Sequence, residues 1–354
     1  MPKFRFTEIA INSTEKKKPV EEDKFTYIGL EHLDSGTLTV SRWGSDIAPI
    51  VEKLVMKKGD VLFGKRRAYQ KKVGIAPFDG IFSAHGMVLR PREEVITKEY
   101  FPLFISSDYF LNEAIRISVG SLSPTVNWKD LKDLEFTIPS IEEQKRITPL
   151  IWAAIEAKNA YKEQIRCTDD LVKSQFIEMF ADEAKRVRLD ELCLHFGDGD
   201  WIESKDQSEE GIRLIQTGNV GNGEYKDKDD KARYISEETF IRLGCTEVFP
   251  GDILISRLPD PIGRACIVPE MPKSITAVDC TIVRLKADVL STFFVNFTKT
   301  PMYTMQIDSF TTGSTRKRIS RANLGSVMVP VPDLARQERF VSIAEQSDKS
   351  KFVV

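Results

Sequence analysis

The chain has 354 residues, 41% of them hydrophobic and 29% charged, with a formal net charge of −2. That length implies two domains, each able to bury its own core, and the balanced charge excludes a uniformly basic coat while leaving room for a local basic surface. No apolar run is long enough to cross a bilayer, and the N-terminal residues lack the apolar core of a signal peptide. Five scattered cysteines and three histidines (His32, His85, His195) form neither a disulfide framework nor a metal-ligand pattern, so the expected setting is the cytoplasm, with no membrane and no metal.

Residues 1–140 read as a strand-rich mixed domain. Short β-branched and aromatic runs such as Phe25 to Ile28 and Asp60 to Phe63 are punctuated by Gly, Asp and Pro, and Glu99 to Ile117 carries apolar residues at helical spacing. From Ile141 to Ala181 there is no glycine, and the only proline, Pro149, threatens a kink. Apolar side chains recur there at Ile147, Ile151, Ile155, Tyr161, Ile165, Val172 and Met179, and Ser140 with Glu143 forms a capping-box pattern. A helix of that extent spans about 60 Å and needs a partner along its apolar stripe. The expected layout assigns 1–140 to a first domain, 141–184 to a long central helix, 185–332 to a second domain and 333–354 to a terminal helix. Within the second domain Gly251 to Ile255, Ala265 to Val268 and Thr281 to Leu285 read as strands and Leu290 to Gln306 as a helix. The last segment is shorter than its central counterpart: either a shorter helix or a truncated arm.

The two domains are copies. Gly120-Ser121, Leu131, Pro139, Gln144 and Arg146 return as Gly313-Ser314, Leu324, Pro332, Gln337 and Arg339, each displaced by the 193 residues that separate Gly120 from Gly313. Lys58-Gly59-Asp60-Val61-Leu62 returns as Pro250-Gly251-Asp252-Ile253-Leu254, and Tyr27-Ile28-Gly29-Leu30 resembles Leu214-Ile215-Gln216-Thr217. Solenoid units are far shorter, so the repeating unit is a domain.

Catalytic signatures are missing from the sequence. There is no phosphate-binding glycine loop, no HExxH and no nucleophile elbow; Gly218 to Gly223 reads as a turn, and Asp260-Pro261-Ile262-Gly263 only begins like a methyltransferase motif. Cationic runs are the stronger signal. Lys65-Arg66-Arg67-Ala68-Tyr69-Gln70-Lys71-Lys72 interleaves cations with an aromatic and an amide, a mixture suited to neutralising phosphates and reading base edges. The second copy offers Arg257 and Arg264 in the corresponding stretch, then Arg316, Lys317, Arg318 and Arg321. The scaffold repeats while these loops differ, as expected of two readers of different sequences.

The paired segments GSLSPTVNWKDLKDLEFTIPSIEEQKRI (120–147) and GSTRKRISRANLGSVMVPVPDLARQERF (313–340), with GIRLIQTGNVGNGEY (211–225) and GDILISRLPDPIGRACIV (251–268), resemble the specificity subunit of type I restriction–modification systems over nearly the whole chain. The resemblance implies a mixed α/β (α+β) fold: two similar globular target recognition domains separated by long helices that pair as an antiparallel coiled coil. It implies a non-catalytic subunit that binds double-stranded DNA, each domain reading half of a bipartite target while the helices set the spacing. Two methyltransferase (modification) subunits would dock on the helix residues named above, joined by restriction subunits. No cofactor is expected in this chain; S-adenosylmethionine would be bound by the methyltransferase partners. The alternative is a truncated or decoy subunit that binds methyltransferase subunits and reads only one half-site.

Overall fold

The computed structural model describes residues 2–46, 50–313 and 317–350. The chain divides into two compact units, Met1–Asn159 and Ala160–Val354.

In the first unit an antiparallel sheet orders Ala10–Ser13, Met87–Pro91, Val61–Phe63 and Val73–Ile75. A second sheet orders Lys16–Lys17, Lys53–Met56, Gly80–Phe82 and Tyr27–Ile28, the last pair parallel. Phe6, Phe63, Phe101, Phe104, Phe110 and Phe136 form the core between sheet and helices. The second unit repeats the plan. Its four-stranded sheet runs Cys193–Asp198, Cys280–Leu285, Ile253–Ser256, Ala265–Ile267, and its smaller sheet pairs Ile212–Ile215 with Ser274–Thr276 in parallel. The short Ile28/Ile215 strands end in matching turns: Gly29 N–H donates to His32 Nδ1 (3.0 Å), and Gln216 N–H donates to Asn219 Oδ1 (2.9 Å). His32 is thus a turn-capping residue.

The helices differ from the expected ones in one respect, and identically in both units. The Glu99–Ile117 stretch is two helices, Phe101–Ser106 and Asp108–Arg116, and the Leu290–Gln306 stretch is likewise two, Ser291–Thr298 and Pro301–Phe310. At the breaks Ser107 and Thr300 adopt extended backbone, and each hydroxyl donates back to a carbonyl, Ser107 Oγ to Phe104 O (2.6 Å) and Thr300 Oγ1 to Phe297 O (2.8 Å). A hydroxyl that satisfies the carbonyl of the preceding turn competes with helix continuation, and Pro301 cannot donate to that turn at all. Apolar spacing does not register such breaks.

The central helix, Ile141–Phe180, runs 40 residues, and Pro149 lies within it. Pro149 and Lys145 both face solvent, so the carbonyl that loses its partner is available to water. In the first unit Trp152 and Ile155 pack on the core, and Trp152 Nε1 donates to Glu99 O (3.1 Å). In the second unit Val172, Phe176 and Phe180 are buried with Phe293, Phe297 and Phe340. The helix Leu334–Ser350 runs antiparallel to this half. Arg336 Nη1 pairs with Glu183 Oε2 (2.6 Å), Phe340 meets Phe176 with ring centroids 5.0 Å apart, and Asp348 lines one cleft with Asp169 and Lys173.

Candidate nucleic-acid interface

In the first unit the cationic loop follows the buried strand Val61–Phe63, passes a single 3-10 turn (Ala68–Gln70) and returns as Val73–Ile75. Arg67 and Lys71 flank that turn in left-handed backbone (φ 55° and 51°), an uncommon conformation for side-chain-bearing residues. The loop is clamped by a hairpin remote in sequence. Val119 and Thr125 exchange backbone hydrogen bonds (3.1 and 2.9 Å), Val126 N–H donates to Lys65 O (3.0 Å) and Arg67 N–H donates to Pro124 O (2.7 Å). Gly120 opens the hairpin at φ +120°, which is why that motif begins with glycine.

The second unit builds the same frame. Thr312 and Arg318 exchange backbone hydrogen bonds (3.1 and 3.0 Å), Ile319 N–H donates to Arg257 O (3.3 Å), and Gly313 has φ +105°. In each unit the hairpin opened by that glycine is therefore joined by backbone hydrogen bonds to the loop after the buried strand.

The individual side chains divide into free and engaged. Arg66, Arg67 and Tyr69 are exposed and Gln70 is half-buried. Lys65 is half-buried, and burial together with Lys16 lowers its pKa. Lys71 forms an ion pair with Asp108, and Lys72 Nζ donates to Leu30 O (2.6 Å). His85 joins the surface unexpectedly: its Nε2 lies 3.5 Å from Arg66 Nη1, and burial, Arg66, Lys65 and Lys53 together hold its pKa below the ordinary 6.5.

Lys317, Arg318 and Arg321 of the second unit are exposed, while Arg316 lies outside the described residues. Arg257 is only 8% exposed; its Nη2 donates to Val278 O (2.6 Å) and its Nε lies 3.5 Å from Asp198 Oδ1. Arg321 Nη1 lies 3.7 Å from the other oxygen of Asp198, so one carboxylate stands between two arginines. Arg264 is the clearest departure from the sequence reading. Its guanidinium makes five hydrogen bonds to the backbone carbonyls of Thr217, Val220, Leu258, Pro259 and Pro261, holding the loop rather than facing outward. Lys317 and Arg318, with Arg264, Thr217, Leu258, Pro259 and Asp260, line a cleft of about 1240 Å³.

Sequence reasoning missed His85 and Asp198 because their partners are remote along the chain; neither sits in a motif. On the central helix, Val172 is buried and Ile155 and Met179 pack on the cores, while Ile147, Tyr161 and Ile165 are half-buried and Ile151 is exposed. Among the described residues no cluster of three or more His, Cys, Asp or Glu is placed to hold a metal, and no helix is long and apolar enough to cross a membrane.

Exposed guanidiniums and ammoniums on clamped loops can neutralise phosphates, and those near base edges can read them. Comparison with known proteins places the chain in a family. The sequence profile described as the type I restriction modification DNA specificity domain matches twice, at residues 6–166 and 181–352. The type I restriction enzyme EcoDI specificity subunit of Escherichia coli is 26% identical over 146 residues, a match covering 41% of this chain and only 32% of that relative. In fold, the chain resembles a type I restriction-modification S subunit from M. genitalium, with a TM-score of 0.53 at 15% identity over 99% of this chain and 90% of that one. A chain from a structure describing complex assembly and conformational transition of the type I R-M system gives the same TM-score, 0.53, at 21% identity and the same coverage, 99% and 90%. A scaffold built twice, each copy matching that profile, makes this chain a member of the type I restriction–modification DNA specificity family.

Proposed function

We propose that the chain reads a bipartite DNA sequence, one half-site by each unit, and recruits the subunits that modify it. The observation that carries this reading is the repeated clamp. Val126 N–H to Lys65 O and Ile319 N–H to Arg257 O join equivalent hairpins to equivalent loops, yet the side chains those loops expose differ. A common frame with unlike contact residues suits two half-sites of unlike sequence. Discrimination then multiplies across the two, because their free energies add.

The helices set the separation of the half-sites and dock two methyltransferase subunits, which bind S-adenosylmethionine and methylate adenine; restriction subunits join that assembly in the cytoplasm. Exposed apolar residues of the central helix, Leu150, Ile151 and Leu171, are the available docking contacts. The chain itself performs no chemistry. Mapping methylated adenines in host DNA with and without the gene tests the whole reading. A split motif of two dissimilar halves, lost on deletion, is expected; a continuous motif, or none that depends on the gene, would overturn it.

A further inference from the structure

Among the large apolar side chains that the first unit leaves exposed, one stands beside its cationic loop. Leu122, at the tip of the Val119–Thr125 hairpin, is 90% exposed, the highest value of any large apolar side chain among the described residues. Its neighbours along the chain are Ser121 and Ser123. The tip is tethered: Thr125 Oγ1 donates to Ser123 O (3.1 Å), and Arg67 Nε donates to Ser123 Oγ (3.3 Å). Arg66 pairs with Thr125 as a backbone bridge. The most exposed leucine is therefore carried on the hairpin that clamps the loop of the exposed cations Arg66 and Arg67.

An apolar side chain in water gains free energy only on burial, and cations that hold phosphates would bring this one against the duplex. A duplex offers leucine two apolar surfaces: the C5-methyl group of thymine in the major groove, and base faces uncovered by opening a stacked step. Opening a step costs a few kcal/mol, of the order of what burying one leucine returns, so a wedge gains little on its own account. The methyl group is the surface that requires no distortion.

We infer that Leu122 is a base-reading residue of the first unit, contacting the C5-methyl group of a thymine in the major groove of its half-site. The inference rests on the proposed DNA reading and adds to it a residue and a base class. The corresponding position of the second repeat, 193 residues on, is Thr315, so the two halves carry different chemistry there.

The test uses the full chain complexed with its methyltransferase subunits. The target is selected from random duplexes, and each thymine of the first half-site is replaced in turn by deoxyuridine, which removes only the methyl group. At one position the replacement is expected to weaken wild-type binding roughly four-fold, the worth of one buried methyl group. Leu122→Ala should bind the thymine and deoxyuridine forms of that position equally, while Leu122→Met should keep the preference. A half-site with no methyl-sensitive position, or a methyl effect that persists in Leu122→Ala, would overturn the assignment. Failure to select any target would overturn the DNA-reading proposal itself, and this inference with it.

Discussion

Gln144 and Gln337 make the same three hydrogen bonds in the two halves of the chain. Gln144 Oε1 accepts from Thr97 N–H (2.7 Å), and its Nε2 donates to Val95 O and Pro139 O (both 2.9 Å). Gln337 Oε1 accepts from Leu290 N–H (3.0 Å), and its Nε2 donates to Asp288 O and Pro332 O (both 2.9 Å). Both side chains are fully buried, and every partner is displaced by the same interval. In both halves the residue four positions before the glutamine supplies the helix start: Ser140 Oγ accepts from Glu143 N–H (3.3 Å) and Asp333 Oδ1 from Arg336 N–H (2.9 Å). Each glutamine thus ties the first turn of a long helix to the loop that leads into the helical pair.

Gln144→Ala would leave one N–H and two carbonyls without their partner in a site closed to water. The expected loss of stability is about 2–4 kcal/mol, read as a lowered denaturation midpoint for the first unit. Gln337→Ala should produce a loss of similar size in the second unit, because the bonds removed are the same.

Replacing Arg66 and Arg67 together with alanine should weaken DNA binding and reduce the slope of log affinity against log salt by about two. Arg264→Ala should behave differently. Its donors are committed to five backbone carbonyls, so the expected result is a lowered melting temperature with little change in the salt slope. Salt titrations on all variants, beside thermal melts, separate the two roles.

His85 should make DNA binding depend on pH. Burial and the cations Arg66, Lys65 and Lys53 depress its pKa below 6.5 in the free protein. A phosphate bound between these cations would favour the protonated ring, so DNA binding is expected to take up a proton and to strengthen as pH falls. Folding responds with the opposite sign. The unfolded chain protonates this histidine first, so its contribution to stability is lost as pH falls below 6.5. His85→Gln should flatten both profiles, measured by binding and by melting across that range.

Thiol reactivity should isolate one cysteine. Burial pushes the Cys193 and Cys266 thiols up to about 12 and those of Cys245 and Cys280 to about 11, whereas Cys167 is exposed on the central helix. At neutral pH the native chain should take up one equivalent of iodoacetamide, at Cys167, with the other four reacting only after denaturation. Mass spectrometry of the alkylated peptides checks the position.

Much of the architecture was legible in the linear chain. The duplication, the glycine-free helix beginning at its Ser140 cap and the cationic loop after Asp60 are written in local properties: which residues allow positive φ, which cap a helix, where apolar side chains recur. The helical breaks at Ser107 and Thr300 were not legible, since a hydroxyl folding back on its own turn leaves apolar periodicity intact. Nor was the core role of Phe176 and Phe180, because the rings they meet, Phe293 and Phe340, are more than a hundred residues away.

The sequence by itself determined that two equivalent scaffolds exist and where cationic residues cluster in each. Only the tertiary structure decided which charges are free. Lys72 and Arg264 are spent on carbonyls, Asp198 stands between Arg257 and Arg321, and Leu122 is left exposed on the hairpin that clamps the loop of Arg66 and Arg67. The physical reason is one of range: conformational preference acts over a few neighbouring residues, whereas a hydrogen bond or ion pair acts over a few ångströms of space, whatever the separation along the chain.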